Sequence, residues 1–203
     1  LCGAGCPTRA PARRWSSCSG REFAEQAVKE LTPQTLDATA FEPYGWVLGL
    51  PVPSGDSGAT FRSAASDFWQ AHVCDCGETG QPEVLWVSYR DSASPIRAME
   101  KHLLTQQAVI PLNGDLVQFV ACSGADGSPD LATLAAFRVR QGQGICMRPG
   151  CWHGTRIGRA GEVLCAMLTR RSTTLDLVRH LAHGEPARES TVAAIAPHGW
   201  RVA

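Results

Sequence analysis

Short runs of hydrophobic residues, many of them alternating with polar residues, fill the chain from about residue 46 to residue 170. Gly, Pro, Asn and Asp interrupt these runs at close intervals. Alternation with a period of two, bounded by turn residues, predicts β-strands. The predicted strands are Trp46–Leu50, Ala59–Arg62, Phe68–Val73, Val84–Tyr89, Ala108–Leu112, Leu116–Ala121, Ala135–Val139, Gly144–Met147 and Val163–Thr169. Many short strands with frequent turns are typical of an antiparallel sandwich or barrel.

One tight turn connects two of these runs. Asn113 and Gly114 lie between Val109–Leu112 and Leu116–Val120. Both turn residues tolerate the positive φ of a primed turn, which is the usual connection of a β-hairpin. We therefore predict that the two runs are adjacent antiparallel strands.

Three short helices are predicted around the strands. Thr32–Thr39 begins with a Thr-Pro pair, and Ser128–Asp130 combines a cap, a proline and an acid. Such residues satisfy or accommodate the free amides at the start of a helix. Thr173–His183 has leucine and valine side chains on one face and ends before Gly184, which predicts a C-terminal amphipathic helix.

The chain of 203 residues is long enough for one domain with a hydrophobic core. We predict an unstructured arm over residues 1–25, a barrel domain with its C-terminal helix over residues 26–185, and a tail over residues 186–203. Cys2, Cys6 and Cys18 lie in the arm, but their spacing matches no common zinc site.

Composition excludes several classes of partner. The chain has 19 basic and 19 acidic residues, so no net field attracts a nucleic acid or an anionic membrane. The apolar runs are shorter than the roughly 20 residues of a membrane-spanning helix. Nine scattered cysteines are an odd number and do not form a disulfide framework. We therefore expect reduced thiols and a cytoplasmic protein.

The candidate chemistry lies in two segments of the predicted barrel. Glu100 and His102 are two residues apart, so they point to the same side of an extended strand, and Gln107 follows after a turn. In the second segment Arg148 precedes His153 by five residues. An acid, two imidazoles and an amide that face one cavity would be able to bind a divalent metal or a small anionic substrate.

These segments resemble the paired motifs of the cupin superfamily, in which H-x-H, a carboxylate and a final His bind one divalent metal inside a small barrel. The matching positions are Glu100 and His102 for H-x-H, Gln107 for the carboxylate and His153 for the final His. The resemblance implies an all-β fold, a small antiparallel barrel of the jelly-roll type. It also implies nickel, manganese, iron or zinc held by His102, Gln107 and His153.

A narrower resemblance is to the ureidoglycolate lyase family of cupins. The segments that carry it are Leu31–Pro33, Phe41–Gly45, Glu100–His102, Gln107–Gly114, Pro129–Phe137, Gly142–Gly144 and Trp152–His153. The resemblance implies an enzyme that cleaves ureidoglycolate, or a similar small hydroxy or keto acid, to glyoxylate and urea in the breakdown of allantoin and purines. The expected partner is a small carboxylate, and the expected assembly is a homodimer.

The implied reaction assigns roles to particular residues. Lysis requires a base at the hydroxyl group, a proton for the departing urea nitrogen and positive charge for the carboxylate. Glu100 is the expected base, and His102 and His153 complete the catalytic set. Arg90 or Arg148 is expected to face the carboxylate, since an arginine fork fits it. Gln107 and Trp152 complete the substrate-binding candidates.

Two departures from the family pattern leave a second function open. Gly154 stands where the family has a second histidine, and Thr169-Arg170-Arg171 stands where it has an Asp-Arg pair. The stretch from Phe68 to Ile96 also matches poorly. These departures favour the alternative of a non-catalytic cupin that binds a small carboxylate or sugar acid as a sensor or store.

Several candidates also have purely structural interpretations. Lys101, on the opposite face from its neighbours, is expected to be a solvated charge at a strand edge. Gln107 would serve equally well as a structural amide, and Trp152 beside His153 is more often a packing residue. Cys146, Cys151 and Cys165 are expected to be small buried hydrophobes. Cys74 and Cys76 lie on one face if the strand is extended, and metal or redox chemistry there is the minority interpretation.

Overall fold

The computed structural model describes residues 29–55, 59–90, 95–157, 161–195 and 200–202. The strands are β1 Lys29–Leu31, β2 Gln34–Thr35, β3 Gly45–Leu48, β4 Thr60–Arg62, β5 Asp67–Trp69, β6 Pro82–Arg90, β7 Ala98–His102, β8 Gln107–Pro111, β9 Leu116–Ala121, β10 Ala135–Val139, β11 Gly144–Met147, β12 Trp152–Ile157, β13 Glu162–Arg170, β14 Ser190–Ala194 and β15 Trp200–Val202. The helices are α1 Ala38–Phe41 and α2 Arg171–His183. The predicted arm, residues 1–25, lies outside the described residues.

Two large sheets contain most of the strands. One has six strands in the order β14-β7-β12-β9-β10-β2, and the other has five in the order β3-β11-β8-β13-β6. Within these sheets the pairs are antiparallel except β10 with β2. The all-β antiparallel prediction is therefore confirmed, and the arrangement is that of a cupin barrel.

The main hydrophobic core lies between the two sheets, because both contribute side chains to it. From the six-stranded sheet come Leu116, Val120, Phe137, Val139 and Ile157, and from the five-stranded sheet Val109, Ile145, Met147, Val163, Cys165 and Met167. A second cluster covers the outer face of the six-stranded sheet, with Ile96, Met99, Val117, Phe119, Trp152 and Ile195 among its members. The six-stranded sheet is thus buried on both faces, and alternate residues of its strands belong to different cores.

The predicted hairpin at Asn113-Gly114 is wrong. β8 pairs with β11 and β13, whereas β9 pairs with β10 and β12 in the other sheet. The turn therefore crosses from one sheet to the other. Asn113 contributes to this crossing, since its side-chain oxygen accepts a hydrogen bond of 2.8 Å from the Leu164 amide.

Two of the predicted helices are also wrong or much shorter. The predicted helix Thr32–Thr39 contains β2, and α1 starts only after Asp37, whose carboxylate accepts hydrogen bonds from the amides of Thr39 and Ala40. After Ser128–Asp130 the chain makes a turn closed by the Thr133 amide and the Asp130 carbonyl oxygen, and it then enters β10. Strand pairing and burial overrode the local capping signals in both places.

The C-terminal helix is confirmed as α2, and Gly184 ends it with φ of 69° in the left-handed region. The expectation that its apolar side chains form a packed face is not met. Val178 is 52% exposed and Leu181 is 72% exposed, while Thr173 is the buried residue of the helix. Neither described helix is long and apolar enough to cross a bilayer.

The segment predicted as a tail contains a strand of the six-stranded sheet. β14 pairs along β7 with Ser190 opposite His102 and Val192 opposite Glu100. The six cysteines in the described part of the chain are free, and Cys146, Cys151 and Cys165 are buried as predicted. The sheet thereby reaches from β2 to a strand close to the chain's end, with β7 and β12 in its interior.

Candidate active site

Strand pairing brings the acid and the two histidines together. Glu100 on β7 lies directly opposite His153 on β12, and His102 lies two residues further along the same face of β7. Gln107 reaches them from β8 in the facing sheet. One potential ligand atom from each of Glu100, His102 and His153 lies within 4.8 Å of the others. The structure thus brings together the four residues of the two sequence segments, at one end of the space between the sheets.

His153 is oriented by its own backbone. Its Nδ1–H donates a hydrogen bond of 2.9 Å to the Cys151 carbonyl oxygen, which leaves Nε2 with a free lone pair. This Nε2 atom is buried without a hydrogen-bond partner and lies 3.8 Å from Glu100 Oε1. A buried polar atom without a partner costs free energy unless a ligand meets it. His153 therefore presents a lone pair for a metal or a substrate proton.

His102 is fixed from two sides. Its Nε2 accepts a hydrogen bond of 2.9 Å from the Gln107 amide, and its Nδ1–H donates one of 3.0 Å to Ser190 Oγ. The His102 and His153 rings are in edge contact, with centroids 5.0 Å apart. Burial, and to a smaller extent the neighbouring His153, lowers the pKa of His102 to about 3. His102 is therefore neutral at physiological pH, which is the state that binds metals.

The donors fit a divalent metal, with one difference from the predicted ligand set. Glu100, His102 and His153 form a group that can hold such an ion, and carboxylate with two neutral imidazoles suits nickel, manganese, iron or zinc. Gln107, predicted as a ligand, instead turns its amide nitrogen towards His102 Nε2. In this arrangement Gln107 occupies the lone pair of His102, which is free for an ion once the amide turns away, and Glu100 is the carboxylate beside the two histidines.

The two arginines predicted to face the substrate lie elsewhere. Arg90 ends β6 on the outer side, pairs with Glu162 at 3.2 Å and is 72% exposed in its side chain. Arg148 pairs with Glu42 at 2.7 Å and lies over the Trp46 ring. Both arginines are thus paired with glutamates away from the acid and the histidines, and their binding of a substrate carboxylate stays a prediction.

Trp152 and Lys101 belong to the outer core. Trp152 is 1% exposed and packs in the second cluster, which agrees with the packing interpretation of this residue. Lys101 is buried rather than solvated. Its ammonium donates to Ser123 Oγ and to the Gly127 carbonyl oxygen and lies 4.6 Å from the centre of the Trp152 ring.

Further polar residues near the site were missed at the level of sequence. Ser190 lies in the predicted tail, where no pattern singled it out. Thr155 follows His153 by two residues and so shares its face, and Gln118 is a lone polar residue in an otherwise apolar strand. These two sequence features were sufficient to identify Thr155 and Gln118 as further candidates. Burial raises the pKa of the Tyr89 phenol, on β6, to about 12.

The departures from the family pattern lie away from the cavity. A Cβ atom at Gly154 would come within 2.2 Å of the Phe119 ring, on the outer face of β12. A histidine side chain at position 154 would therefore not share the face of His153. Arg170 contacts Ser172, Glu189 and the Cys76 carbonyl oxygen at the junction of β13 and α2. These positions therefore add no evidence for the loss of a cavity group.

Comparison of the sequence with known protein families identifies the family of this chain. The sequence model described as ureidoglycolate lyase matches residues 28–185. The chain belongs to the ureidoglycolate lyase family. This confirms the predicted family, and with the relatives below it confirms an enzyme of the lyase class.

Two curated relatives carry the same name. The ureidoglycolate lyase of Rhodobacter capsulatus is 29% identical over 133 residues, which are 63% of this chain and 78% of the relative. That of Escherichia coli (strain K12 / DH10B) is 40% identical over 58 residues, which are 29% of this chain and 36% of the relative. The match to the second relative thus spans about a third of its length.

Solved structures show more distant similarity. A dTDP sugar isomerase from Desulfovibrio desulfuricans G20 is 14% identical with a TM-score of 0.39, over 74% of this chain and 85% of the other. A Bacillus subtilis oxalate decarboxylase is 8% identical with a TM-score of 0.34, over 58% and 34%.

Proposed function

We propose that this protein cleaves ureidoglycolate to glyoxylate and urea, at the site formed by Glu100, His102 and His153. The observation that carries the proposal is the unpartnered, buried Nε2 of His153 beside the Glu100 carboxylate and the neutral His102. Family membership supports the choice of substrate. Breakdown of allantoin, a product of purine degradation, is the pathway that such a reaction would serve.

The reaction moves one proton and breaks one bond. A base takes the proton of the carbinol hydroxyl, and the electron pair of that O–H bond forms the carbonyl of glyoxylate. The C–N bond breaks with its electron pair on the urea nitrogen, which then receives a proton. Atoms and charge balance without water, so the proton that the base removes can be returned to the leaving group.

Glu100 suits the role of base. Its side chain is 34% exposed, so its carboxylate can reach a bound substrate, while its cross-strand partner His153 is 5% exposed. His102 is held by Gln107 and Ser190 and cannot accept a proton at neutral pH, given its lowered pKa. His102 is therefore neither the acid nor the base of the proposed reaction.

We propose that His102 and His153 hold a divalent metal beside Glu100, whose carboxylate stays free as the base; Ser190 orients His102, and the Gln107 amide turns away from His102 Nε2 to free its lone pair for the ion. Such an ion would supply positive charge for the substrate carboxylate and lower the pKa of the carbinol hydroxyl. The need for that charge is supported by the positions of Arg90 and Arg148, which lie away from the site. Elemental analysis of the purified protein identifies the ion.

The test is glyoxylate release from racemic ureidoglycolate by the parent and by Glu100→Gln. Removal of a general base lowers turnover by about 10² to 10⁴, and we expect a loss of at least about a hundredfold with little change in substrate affinity. Glu162→Gln is the matched control, because Glu162 is an exposed acid paired with Arg90. A parent without glyoxylate release would favour a binding protein for small carboxylates instead.

We also propose that the protein is a cytoplasmic homodimer. Support for pairing comes from the edge strand β6, where Val84 is 70% exposed and Trp86 is 68% exposed on the outer face. Exposed apolar side chains of this size are typical of association surfaces. Sedimentation of the parent and of a Trp86→Lys variant tests it, since a charge at the interface would shift the dimer towards monomer.

A further inference from the structure

Two free cysteines lie at the end of the barrel that holds the proposed site. Cys122 directly follows β9, and Cys151 directly precedes β12. The ladder between these antiparallel strands ends with Ala121 opposite Trp152, so the next residues along the two chain segments are Cys122 and Cys151. The proposed reaction uses neither thiol.

A hydrogen bond beyond the ladder keeps the two chain segments together past the cysteines. Ser123 Oγ donates this bond, of 2.9 Å, to the Gly150 carbonyl oxygen. The cysteines therefore lie between a strand pair on one side and a hydrogen bond on the other. Cys122 and Cys151 thus face each other across the two segments.

Both thiols also point in the same direction. Alternation along β12 puts Cys151 on the face of His153, and alternation along β9 puts Cys122 on the face of Val120. Cys151 belongs to the main core, and Cys122 packs against that core. The two cysteines line one cavity of about 230 Å³. Register, core and cavity therefore agree that the two side chains are neighbours.

The backbone hydrogen bonds of Cys122 indicate how close the two chain segments lie. Its amide donates to Thr133 Oγ1 at 2.8 Å, and its carbonyl oxygen accepts from the Asp130 amide at 2.9 Å, so neither group bonds to Cys151. In an antiparallel pair without such bonds the Cα atoms are about 4.5 Å apart. A disulfide needs a Cα separation of about 4.4–6.8 Å. The backbone spacing of this pair therefore suits a disulfide.

We propose that Cys122 and Cys151 are a redox pair that closes reversibly to a cross-strand disulfide by exchange with a small disulfide such as glutathione disulfide. Cys122 is half-buried and Cys151 is 6% exposed, so Cys122 meets the small disulfide first. The Cys122 thiolate attacks one sulfur and releases one small thiol, and the Cys151 sulfur then displaces the second. Two protein thiols become one disulfide, and the small disulfide becomes two thiols that take up both protons.

The disulfide acts on the strand that carries His153. The Cys151 carbonyl oxygen accepts the hydrogen bond of 2.9 Å from His153 Nδ1 that orients this ring. Closing the pair ties that part of the backbone to the end of β9. A cross-link over a loop of this length reduces the freedom of the unfolded chain, so the oxidised protein should melt about 5–10 °C higher than the reduced protein.

Peptide mapping of the folded protein after exposure to glutathione disulfide tests the pair. After digestion with trypsin without reductant, the fragment with Cys122 should be linked to the fragment with Cys151, and dithiothreitol should separate them. The second fragment also contains Cys146, because trypsin does not cleave between Arg148 and the proline that follows. Cys146→Ala is therefore the matched control and should keep the link, since Cys146 lies in the five-stranded sheet and contacts Gln106.

Two further variants remove one member of the pair each. Cys151→Ala should retain one glutathione on Cys122, because no second thiol displaces it, and Cys122→Ser should leave Cys151 unmodified. Neither should show the rise in melting temperature. A parent without the link, or with glutathione retained on Cys122, overturns the inference. A link that persists in Cys151→Ala also overturns it, because Cys146 is then the partner. A linked parent with an unchanged melting temperature contradicts the effect on the strand.

Discussion

His153 and Thr155 point from β12 into the space between the sheets, whereas Trp152 and Gly154 point to the outer face of the same strand. The inner side chains meet Glu100 and Gln118. The outer positions pack in the second core, where the space beside Gly154 is filled by a phenylalanine ring. A strand buried on both faces therefore combines site residues and packing residues in alternation.

β7 repeats the pattern. Glu100 and His102 face inwards, while Met99 and Lys101 face the outer cluster, where the Lys101 ammonium satisfies two oxygens and lies over Trp152. In both strands a contiguous motif, such as Glu100–His102 or Trp152–His153, contains two kinds of residue. Those that face inwards form the site, and those that face outwards pack in the second core. Substitutions on the outer face should change stability, and those on the inner face should change binding.

The largest effect is expected at Trp152. Truncation of a fully buried tryptophan costs about 3–5 kcal/mol in the free energy of unfolding, so Trp152→Ala should unfold at much lower urea concentration. His153→Ala, its neighbour on the inner face, should lose bound divalent metal with a much smaller loss of stability. Urea denaturation and elemental analysis of both variants check this. Equal stability losses in the two variants, or metal loss in both folded variants, would contradict the claim that the outer face determines stability and the inner face determines metal binding.

The second largest effect is expected on acidification, which should lower the free energy of unfolding through His102 on the inner face. The pKa of His102 is about 3 in the folded protein, against about 6.5 in the unfolded chain. The unfolded chain therefore binds a proton first, so the stabilising contribution is complete above pH 6.5 and is lost as the pH falls towards 3. Between pH 7 and pH 5 the metal-free parent should lose about 2 kcal/mol of unfolding free energy from this group.

His102→Asn provides the comparison for the pH experiment, because it removes the titrating group. Its unfolding free energy should change less than that of the parent over the same pH interval. The exposed helix residue His183 serves as a control, since His183→Asn should preserve the pH dependence of the parent. Identical pH dependence in the parent and His102→Asn would show that His102 is not the group responsible.

Gly154 tests the outer face without removing any side chain. A Cβ atom there would lie 2.2 Å from the Phe119 ring, and overpacking of this kind costs about 1–3 kcal/mol. Gly154→Ala should therefore be destabilised while its affinity for metal stays that of the parent. Adding Phe119→Leu should recover part of the loss, because it makes room for the methyl group. Loss of metal from a folded Gly154→Ala variant would show that packing on the outer face also affects the site on the inner face.

Ser190 is expected to give the smallest effect. Groups that orient a metal-binding histidine typically contribute 10–100-fold in affinity, and a neutral hydroxyl at 3.0 Å from His102 Nδ1 should lie near the lower limit. Ser190→Ala should weaken metal binding about tenfold in a competition titration with a chelator. Thr191→Ala, an exposed neighbour on β14, should bind metal as the parent does.

Many strand positions, and the grouping of the acid with a histidine, could be predicted from the local sequence pattern. β9, β10 and β11 have the predicted bounds, and α2 ends at the predicted glycine. The spacing of Glu100 and His102 identified two residues that the fold does bring together. These features depend on side-chain alternation and on backbone preferences of single residues, which are local properties.

Pairing across the two sheets could not be predicted in the same way. An Asn-Gly turn fits a hairpin, yet β8 and β9 separate because each buries its inner face across the core from the other. Arg90 and Arg148 had the right charge for a carboxylate, but Glu162 and Glu42 pair with them at a distance from the site. Such outcomes depend on partners far apart in sequence.

By itself the sequence determined a β-rich barrel, its family and the acid with two histidines, because alternation and motif spacing are properties of the chain alone. The tertiary structure alone decided which face each motif residue occupies, that Ser190 supports His102, and that Thr155 hydrogen-bonds to Gln118 on the inner face. The physical reason is that a buried polar atom needs a partner, and which partner it finds depends on packing of strands distant in sequence.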